Sequence, residues 1–202
     1  FAVYANEANA DDPLASLVVG ERPDPEVPEG WVTVNVKAAS LNMHDIWTLR
    51  GVVIKSEQFP MILGCDGAGV LDDGTEVVIH SVVNDESWRG DDTLDPKRTL
   101  LTEKHQGTFA DAVVVPSRNV VPKPAGLSMS EAATMGTAWL TAYRMLFVKS
   151  GLRPGQTMLV QGASGGVSTA LVQLGRAAGL RVWVTGRTEE KRALAERLGA
   201  HE

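Results

Sequence analysis

Val32, Val34 and Val36 alternate with Thr33, Asn35 and Lys37 in the stretch WVTVNVK at 31–37. That period of two predicts a strand with one buried face. Ahead of it, RPDPEVPEG at 22–30 spends three prolines and a glycine on a turn or loop. DDGTE at 72–76 predicts a second turn, separating the apolar stretch GAGVL from VVIHSVV at 77–83. Residues 84–106 are polar, acidic and aperiodic, which predicts a long loop, and GTFADAVVVP at 107–116 predicts a further strand closed by Pro116. Short strands divided by Gly and Pro turns predict a β-barrel or sandwich over residues 1–125.

From residue 126 the period changes. In SMSEAATMGTAWLTAYRMLF at 128–147, Ala132, Met135, Trp139, Ala142 and Leu146 recur three or four apart, which predicts a helix with Ser130 as its cap. LRPGQ at 152–156 is a turn. TMLVQG at 157–162 and RVWVTG at 181–186 predict short strands buried on both faces. Each is followed by a helix, over 163–179 and 188–200. Strand, helix, strand, helix is the order of a parallel sheet, so the fold class is β followed by α/β, divided as 1–125 and 126–202. Two parallel strands cannot cover their own apolar faces, and the natural chain is therefore expected to continue past Glu202.

Composition narrows the partners. Nineteen Lys and Arg against 25 Asp and Glu give a net charge of −6, without the basic excess of a nucleic-acid-binding domain. The charge is unevenly spread: residues 1–125 hold 20 acids and 10 bases, residues 126–202 hold 5 acids and 9 bases. A single cysteine, Cys65, excludes an intrachain disulfide and a Cys-rich zinc lobe. No apolar run approaches the roughly 18 residues of a membrane span, and the first residues lack a signal-peptide core. A cytoplasmic protein with neither a nucleic-acid nor a membrane partner is expected.

The chemistry begins at GASGGVS, 162–168, where the first parallel strand feeds its helix. Glycines there let the backbone approach a pyrophosphate, and the free N–H groups and dipole of the helix start favour the anion. Gly162, Ser164, Gly165, Gly166, Val167 and Ser168 are the candidate contacts, although the G-x-G-x-x-G frame is imperfect, reading Ala163, Gly165 and Ser168. Past the second strand an NAD site wants an acid. This chain has Gly186, Arg187 and Thr188, with Lys191 one turn on. Bases there pair with a 2′-phosphate and point to NADP, the alternative being that both are solvated surface charges.

Five stretches together resemble the medium-chain dehydrogenase/reductases, and among them the zinc-free quinone-oxidoreductase-like members: VKAASLNMHD at 36–45, PMILGCDGAGVL at 60–71, GTFADAVVVP at 107–116, TAWLTAYRML at 137–146, and GASGGVS followed by TEEKRALAERLGA. The resemblance implies a GroES-like β-barrel-type domain over 1–125 and the first half of a doubly wound Rossmann sheet over 126–202, with the remainder of that sheet beyond this chain. It also implies a homodimer of the full-length chain.

Zinc-dependent members place Cys, His and Cys where this sequence has Asn42, Cys65 and a position near Thr137. One soft ligand is too few for a catalytic zinc, so no metal is expected. His80, His105 and His201 lack ligand spacing. Without a Lewis acid, hydride transfer favours acceptors that are already electron-poor, such as quinones and α,β-unsaturated carbonyl compounds. The resemblance implies three roles near the first motif. Asn42 either donates to the substrate oxygen and holds the nicotinamide, or forms an Asx turn. His44 either protonates the product anion or is merely packed. Asp45 orients its neighbours. Thr137 either meets the nicotinamide or bonds back into its helix. The leading expectation is an NADPH-dependent quinone or enone oxidoreductase, with an enoyl-thioester reductase and a catalytically inactive dinucleotide-binding protein as alternatives.

Overall fold

The structure, a computed structural model, describes residues 1–201 and divides into two compact units, Phe1–Thr137 and the segment from Ala138 onward. In the first unit the strand expected at 31–37 extends to Ser40. This strand, β3 (Trp31–Ser40), follows β1 (Ala2–Ala5) and β2 (Leu17–Gly20) in the chain. It pairs antiparallel with β5 (Asp66–Val70) on one side and β9 (Ala112–Pro116) on the other. Then β6 (Glu76–Ile79) and β10 (Val120–Pro122) complete a five-stranded sheet in the order β10-β6-β5-β3-β9. Its alternating inward residues, Val34, Val77, Ile79, Val113 and Val115, form the core with Cys65 and Leu101. A second sheet runs β2-β1-β4, with β4 at Met61–Ile62, so the unit is a curled antiparallel half-barrel.

Two expectations change here. The apolar stretch at 77–83 is not one strand but is divided at His80 and Ser81, where the Asn119 amide donates to the carbonyls of both His80 and Val82. Beyond the break, β7 (Val82–Val83) pairs with β8 (Thr99–Leu100). The 84–106 loop is thereby closed at its base, and carboxylates organise its interior. Asp95 accepts from the N–H groups of Asp85 and Lys97 and from the Asn84 amide. A seven-residue helix, α1 (Met43–Leu49), also appears where no periodicity announced it; Asn42 is its N-cap residue, and the Asp45 carboxylate accepts the Asn42 N–H.

The helix expected at 128–147 is capped by Ser128 rather than Ser130. Ser128 accepts from the N–H of Glu131 and donates its own N–H to that carboxylate, a reciprocal pair that Ser130, with Ala133 three residues on, cannot make. Its first turn is α2 (Met129–Ala132), and the later part is interrupted by wide π-helical turns at Met135–Trp139 and Arg144–Lys149, flanking α3 (Leu140–Tyr143).

In the second unit β11 (Thr157–Gln161) and β12 (Arg181–Thr185) pair parallel, Thr157 opposite Arg181 through Gln161 opposite Thr185. Their helices are α4 (Gly166–Ala177) and α5 (Glu189–Arg197). Two such strands alone are expected to leave apolar surface uncovered within this chain. Met158, Val160, Val182 and Val184 do pack into a core with Ala142, Leu146 and α4, but Leu159 and Trp183, on the opposite face, are 59% and 46% exposed. Among the described residues, the strands therefore have one covered face. Gly175 makes the close α4 contact possible, since a Cβ there would lie 2.5 Å from Met158 Cε. No helix among the described residues is long and apolar enough to cross a membrane.

Candidate functional site

In the first unit a buried carboxylate gathers several of the residues singled out above. Asp66 opens β5 with no exposed surface. Its Oδ2 accepts from Asn42 Nδ2 and from Ser40 Oγ, both at 2.9 Å, and its Oδ1 accepts from Thr137 Oγ1 at 2.6 Å. Thr137 thus donates to Asp66 and not back into its helix. Gly136 permits the approach, because a Cβ there would stand 2.8 Å from Asp66 Oδ1. Burial pushes the Asp66 carboxyl up, against the donors Thr137, Asn42 and Ser40, which pull it down. The second amide hydrogen of Asn42 faces the Ser40 carbonyl at 3.4 Å. For Asn42 to donate to a substrate oxygen, one of these two bonds must be exchanged.

Asp45 is equally committed. Its Oδ2 accepts the N–H of Asn42 at 2.8 Å and its Oδ1 the N–H of Gly64 at 2.9 Å. Burial pushes this carboxyl up as well, with the two backbone donors opposing. It orients the start of α1, with both oxygens engaged by backbone donors.

His44, on α1, is buried, and its Nε2 has no hydrogen-bond partner. The nearest charge is Glu103 Oε1, 3.7 Å away, while Glu103 Oε2 accepts from Thr99 Oγ1 and from the N–H of Leu100. The Trp47 ring meets the imidazole edge-on at 6.2 Å between centroids. A buried nitrogen facing a carboxylate beyond bonding distance is a group that can hold or pass a proton.

Cys65 is fully buried, with Sγ 3.6 Å from Thr137 Oγ1, which in turn lies 3.4 Å from Ser81 Oγ. Burial, reinforced by the neighbouring Asp66, pushes the thiol up to about 12. The structure therefore brings together the positions that zinc-binding relatives use, but the donors are a protonated thiol, an amide N–H and a hydroxyl spent on Asp66. This set does not suit zinc, which takes thiolate, imidazole or carboxylate. Among the described residues no three His, Cys, Asp or Glu side chains converge as metal ligands. The remaining histidines have other neighbours: His80 lies 3.7 Å from Asp92, His105 packs on Trp31, and His201 Nδ1 accepts the N–H of Val182.

In the second unit the glycine turn is built as a cradle. Gly162 leaves β11 with φ +91°, and its N–H donates to the Thr185 carbonyl at the end of β12. Gly165 caps α4 without any side-chain bond, so the first N–H groups of this twelve-residue helix lack intrahelical partners. Ser168 Oγ donates to the Gln161 carbonyl. At Gly186 a Cβ would come within 3.0 Å of Ala163 Cβ, so glycine lets the two strand-ending loops close together. Thr188 caps α5, accepting the N–H of Lys191. Arg187 and Lys191 are exposed and pair with no carboxylate among the described residues, whereas Arg192 pairs with Glu189 at 2.6 Å. An uncapped helix start beside two unpaired cations fits a dinucleotide carrying an extra phosphate.

Ser40, Ser81 and Glu103 escaped sequence reasoning, having neither spacing nor motif to mark them. Asp66 did carry a signal, an acid opening a glycine-rich strand.

The alcohol dehydrogenase GroES-like domain family matches residues 28–125. The chain is 35% identical, over 87% of its length, to a zinc-type alcohol dehydrogenase-like protein of Schizosaccharomyces pombe, and covers 54% of it. It is 31% identical over 94% of its length to a crotonyl-CoA reductase of Streptomyces avermitilis, covering 50% of that protein. The chain thus spans about half the length of the curated relatives it matches. Among solved structures, an NAD-dependent alcohol dehydrogenase superposes with a TM-score of 0.91 at 38% identity, covering all of this chain and 62% of its own. The quinone oxidoreductase of Thermus thermophilus, solved also with NADPH, gives 0.75 at 33% identity, with 59% of its chain covered.

Proposed function

The chain belongs to the medium-chain dehydrogenase/reductase family, and from that membership we propose that the protein is an NADPH-dependent oxidoreductase acting on a quinone or an α,β-unsaturated carbonyl compound without catalytic zinc. In this reading residues 1–125 form the catalytic β-domain and residues 126–202 begin the dinucleotide-binding domain. The full-length protein is a cytoplasmic homodimer.

The observation that carries the cofactor assignment is the pair of exposed, unpaired cations, Arg187 and Lys191, beside the uncapped start of α4. Bound there, the reduced nicotinamide supplies hydride. The N–H groups of Gly165, Gly166, Val167 and Ser168 hold the pyrophosphate; Gly162, Ser164 and Gly186 leave it room. Arg187 and Lys191 pair with the 2′-phosphate, and Thr188 keeps Lys191 at the head of α5.

In the first unit, Asn42 and Thr137 position the acceptor and His44 supplies the proton that completes reduction, its Nε2 being uncommitted. Asp45 fixes the backbone around Asn42. An electron-poor acceptor needs no Lewis acid, which agrees with a donor set unsuited to zinc. The likeness to a crotonyl-CoA reductase favours a second reading, reduction of an enoyl thioester.

Full-length protein incubated with NADPH or NADH, and with a small quinone or crotonyl thioester, tests both. NADPH oxidation with the quinone is expected. Turnover confined to the thioester establishes the second reading; tight NADPH binding without turnover of either identifies a non-catalytic binder, and tighter NADH binding refutes the cofactor assignment.

A further inference from the structure

We propose that Asp66 is a positioning residue of this site: its carboxylate fixes the Asn42 amide and the Thr137 hydroxyl in a single orientation. The inference rests on the reading of Asn42 and Thr137 as residues that meet the acceptor.

Three chain segments deliver donors to one buried carboxylate. Ser40 comes from the end of β3, Asn42 from the start of α1, and Thr137 from the turn after α2; their donor-to-oxygen distances are 2.9, 2.9 and 2.6 Å. An ionised carboxylate only accepts. It therefore removes the usual ambiguity of an asparagine side chain, since the amide oxygen would be repelled where the NH₂ group is bound. The Thr137 hydroxyl is likewise fixed as a donor to Asp66, so towards Cys65 and Ser81 it presents lone pairs.

Holding the Asp66 main chain in place does not require the carboxylate. The main chain of Asp66 is already secured by β5 pairing, and its carbonyl accepts the Thr108 hydroxyl at 2.6 Å. The carboxylate is buried at a cost, because burial pushes it up towards protonation, opposed by the three side-chain donors and by the Thr137 backbone N–H. Gly136, where a Cβ would stand 2.8 Å from both Asp66 Oδ1 and the Ile79 carbonyl, keeps the Thr137 backbone close enough to donate. An isosteric Asn at 66 would turn an NH₂ group towards donors. It would leave the strand in place while releasing the orientation of Asn42, Thr137 or both.

The experiment uses full-length protein labelled with ¹⁵N at asparagine, the Asn42 side-chain signal being assigned through Asn42→Ala. In the wild type the two amide protons of Asn42 are expected to be well separated and slow to exchange; Asp66→Asn should collapse that separation. In steady-state assays Asp66→Asn should lower kcat roughly tenfold to a hundredfold, the loss associated with a charge-assisted hydrogen bond. NADPH affinity should stay within about threefold, because the dinucleotide cradle is untouched. In an Asn42→Ala/Thr137→Val background the same substitution should cost less than about threefold, since a residue acting through Asn42 and Thr137 has nothing left to position.

An undiminished loss in that background overturns the proposal, as does an unchanged Asn42 signal in folded Asp66→Asn. Rapidly exchanging, unseparated Asn42 protons in the wild type overturn it without any variant having to fold. Absence of wild-type turnover defeats the oxidoreductase reading alone, and the Asn42 resonances still decide the role of Asp66.

Discussion

Asp45 Oδ1 accepts the N–H of Gly64 at 2.9 Å, tying the first turn of α1 to the segment that enters β5. The other oxygen takes the N–H of Asn42, so removing the carboxylate strands two backbone donors at once. The Gly64 carbonyl also accepts the N–H of Thr108, which holds this segment in place. Asp45→Ala should therefore destabilise full-length protein by about 2–4 kcal/mol, and Asp45→Asn, which keeps one acceptor, by less. Denaturant unfolding measures both. An alanine variant within about 0.5 kcal/mol of wild type would show that Asp45 does not clamp the site.

Cys65 should be chemically silent in the native protein. A thiol raised to about 12 is ionised at pH 8 in only about one molecule in 10⁴, and the thiolate is the reactive form. Iodoacetamide followed by intact mass should leave the folded protein unmodified and add one label after denaturation. Rapid native labelling would mean that the sulfur is exposed and ionised, and would reopen its candidacy as a metal ligand.

The two halves of the chain differ in what a linear reading could recover. Strands β3 and β9 were readable because Val32, Val34, Val113 and Val115 repeat at the strand period and face one core. Strands β11 and β12 were readable because TMLVQ and RVWVT are short continuous apolar runs, and the face that stays exposed within this chain, with Leu159 and Trp183, is what two parallel strands alone leave uncovered. Helix α1 was invisible because seven residues barely make two turns, too few to show an apolar period, even though Ile46 and Leu49 pack into a core. The glycine turn was legible because its residues are contiguous. The Asp66 cluster was not, since its bonds join residues 24, 26 and 71 positions apart, and no local pattern encodes such meetings.

The 82–100 excursion should open in acid before the strands do. Asp85 is held well below the ordinary carboxylate value of 3.8 by the Lys97 ammonium and by Ser87. At Asp95 burial acts upward, but the N–H groups of Lys97 and Asp85 and the Asn84 amide outweigh it and leave the group lowered. A lowered folded value means stability present above 3.8 and lost as pH falls through that folded value. Asp45 and Asp66, both raised, have the opposite sign, contributing most below 3.8 and less as pH rises through their folded values. Hydrogen exchange, corrected for intrinsic rates, should thus show the amides of Asp85 and Lys97 losing protection progressively as pH falls below 3.8, while Val34 and Val113 keep theirs. Equal protection of the Asp85 and Lys97 amides at pH 6 and pH 3 would contradict this.

Cofactor choice turns on Arg187 and Lys191. Both are exposed and, among the described residues, bound to no carboxylate, so replacing them removes charge without disturbing packing. The double variant Arg187→Ala/Lys191→Ala should weaken NADPH binding roughly tenfold to a hundredfold, the scale of lost charge-assisted phosphate contacts, and leave NADH within about twofold. Arg192 is the internal control. It donates to the Gly186 carbonyl at 2.7 Å and pairs with Glu189, so it holds the loop rather than facing the ligand. Arg192→Ala should therefore weaken both cofactors alike. Fluorescence titration of the full-length protein with each nucleotide separates the cases, because only a 2′-phosphate contact changes the ratio of the two dissociation constants. A parallel loss of NADPH and NADH in the double variant would reduce Arg187 and Lys191 to general electrostatic attraction and remove the basis for assigning NADP.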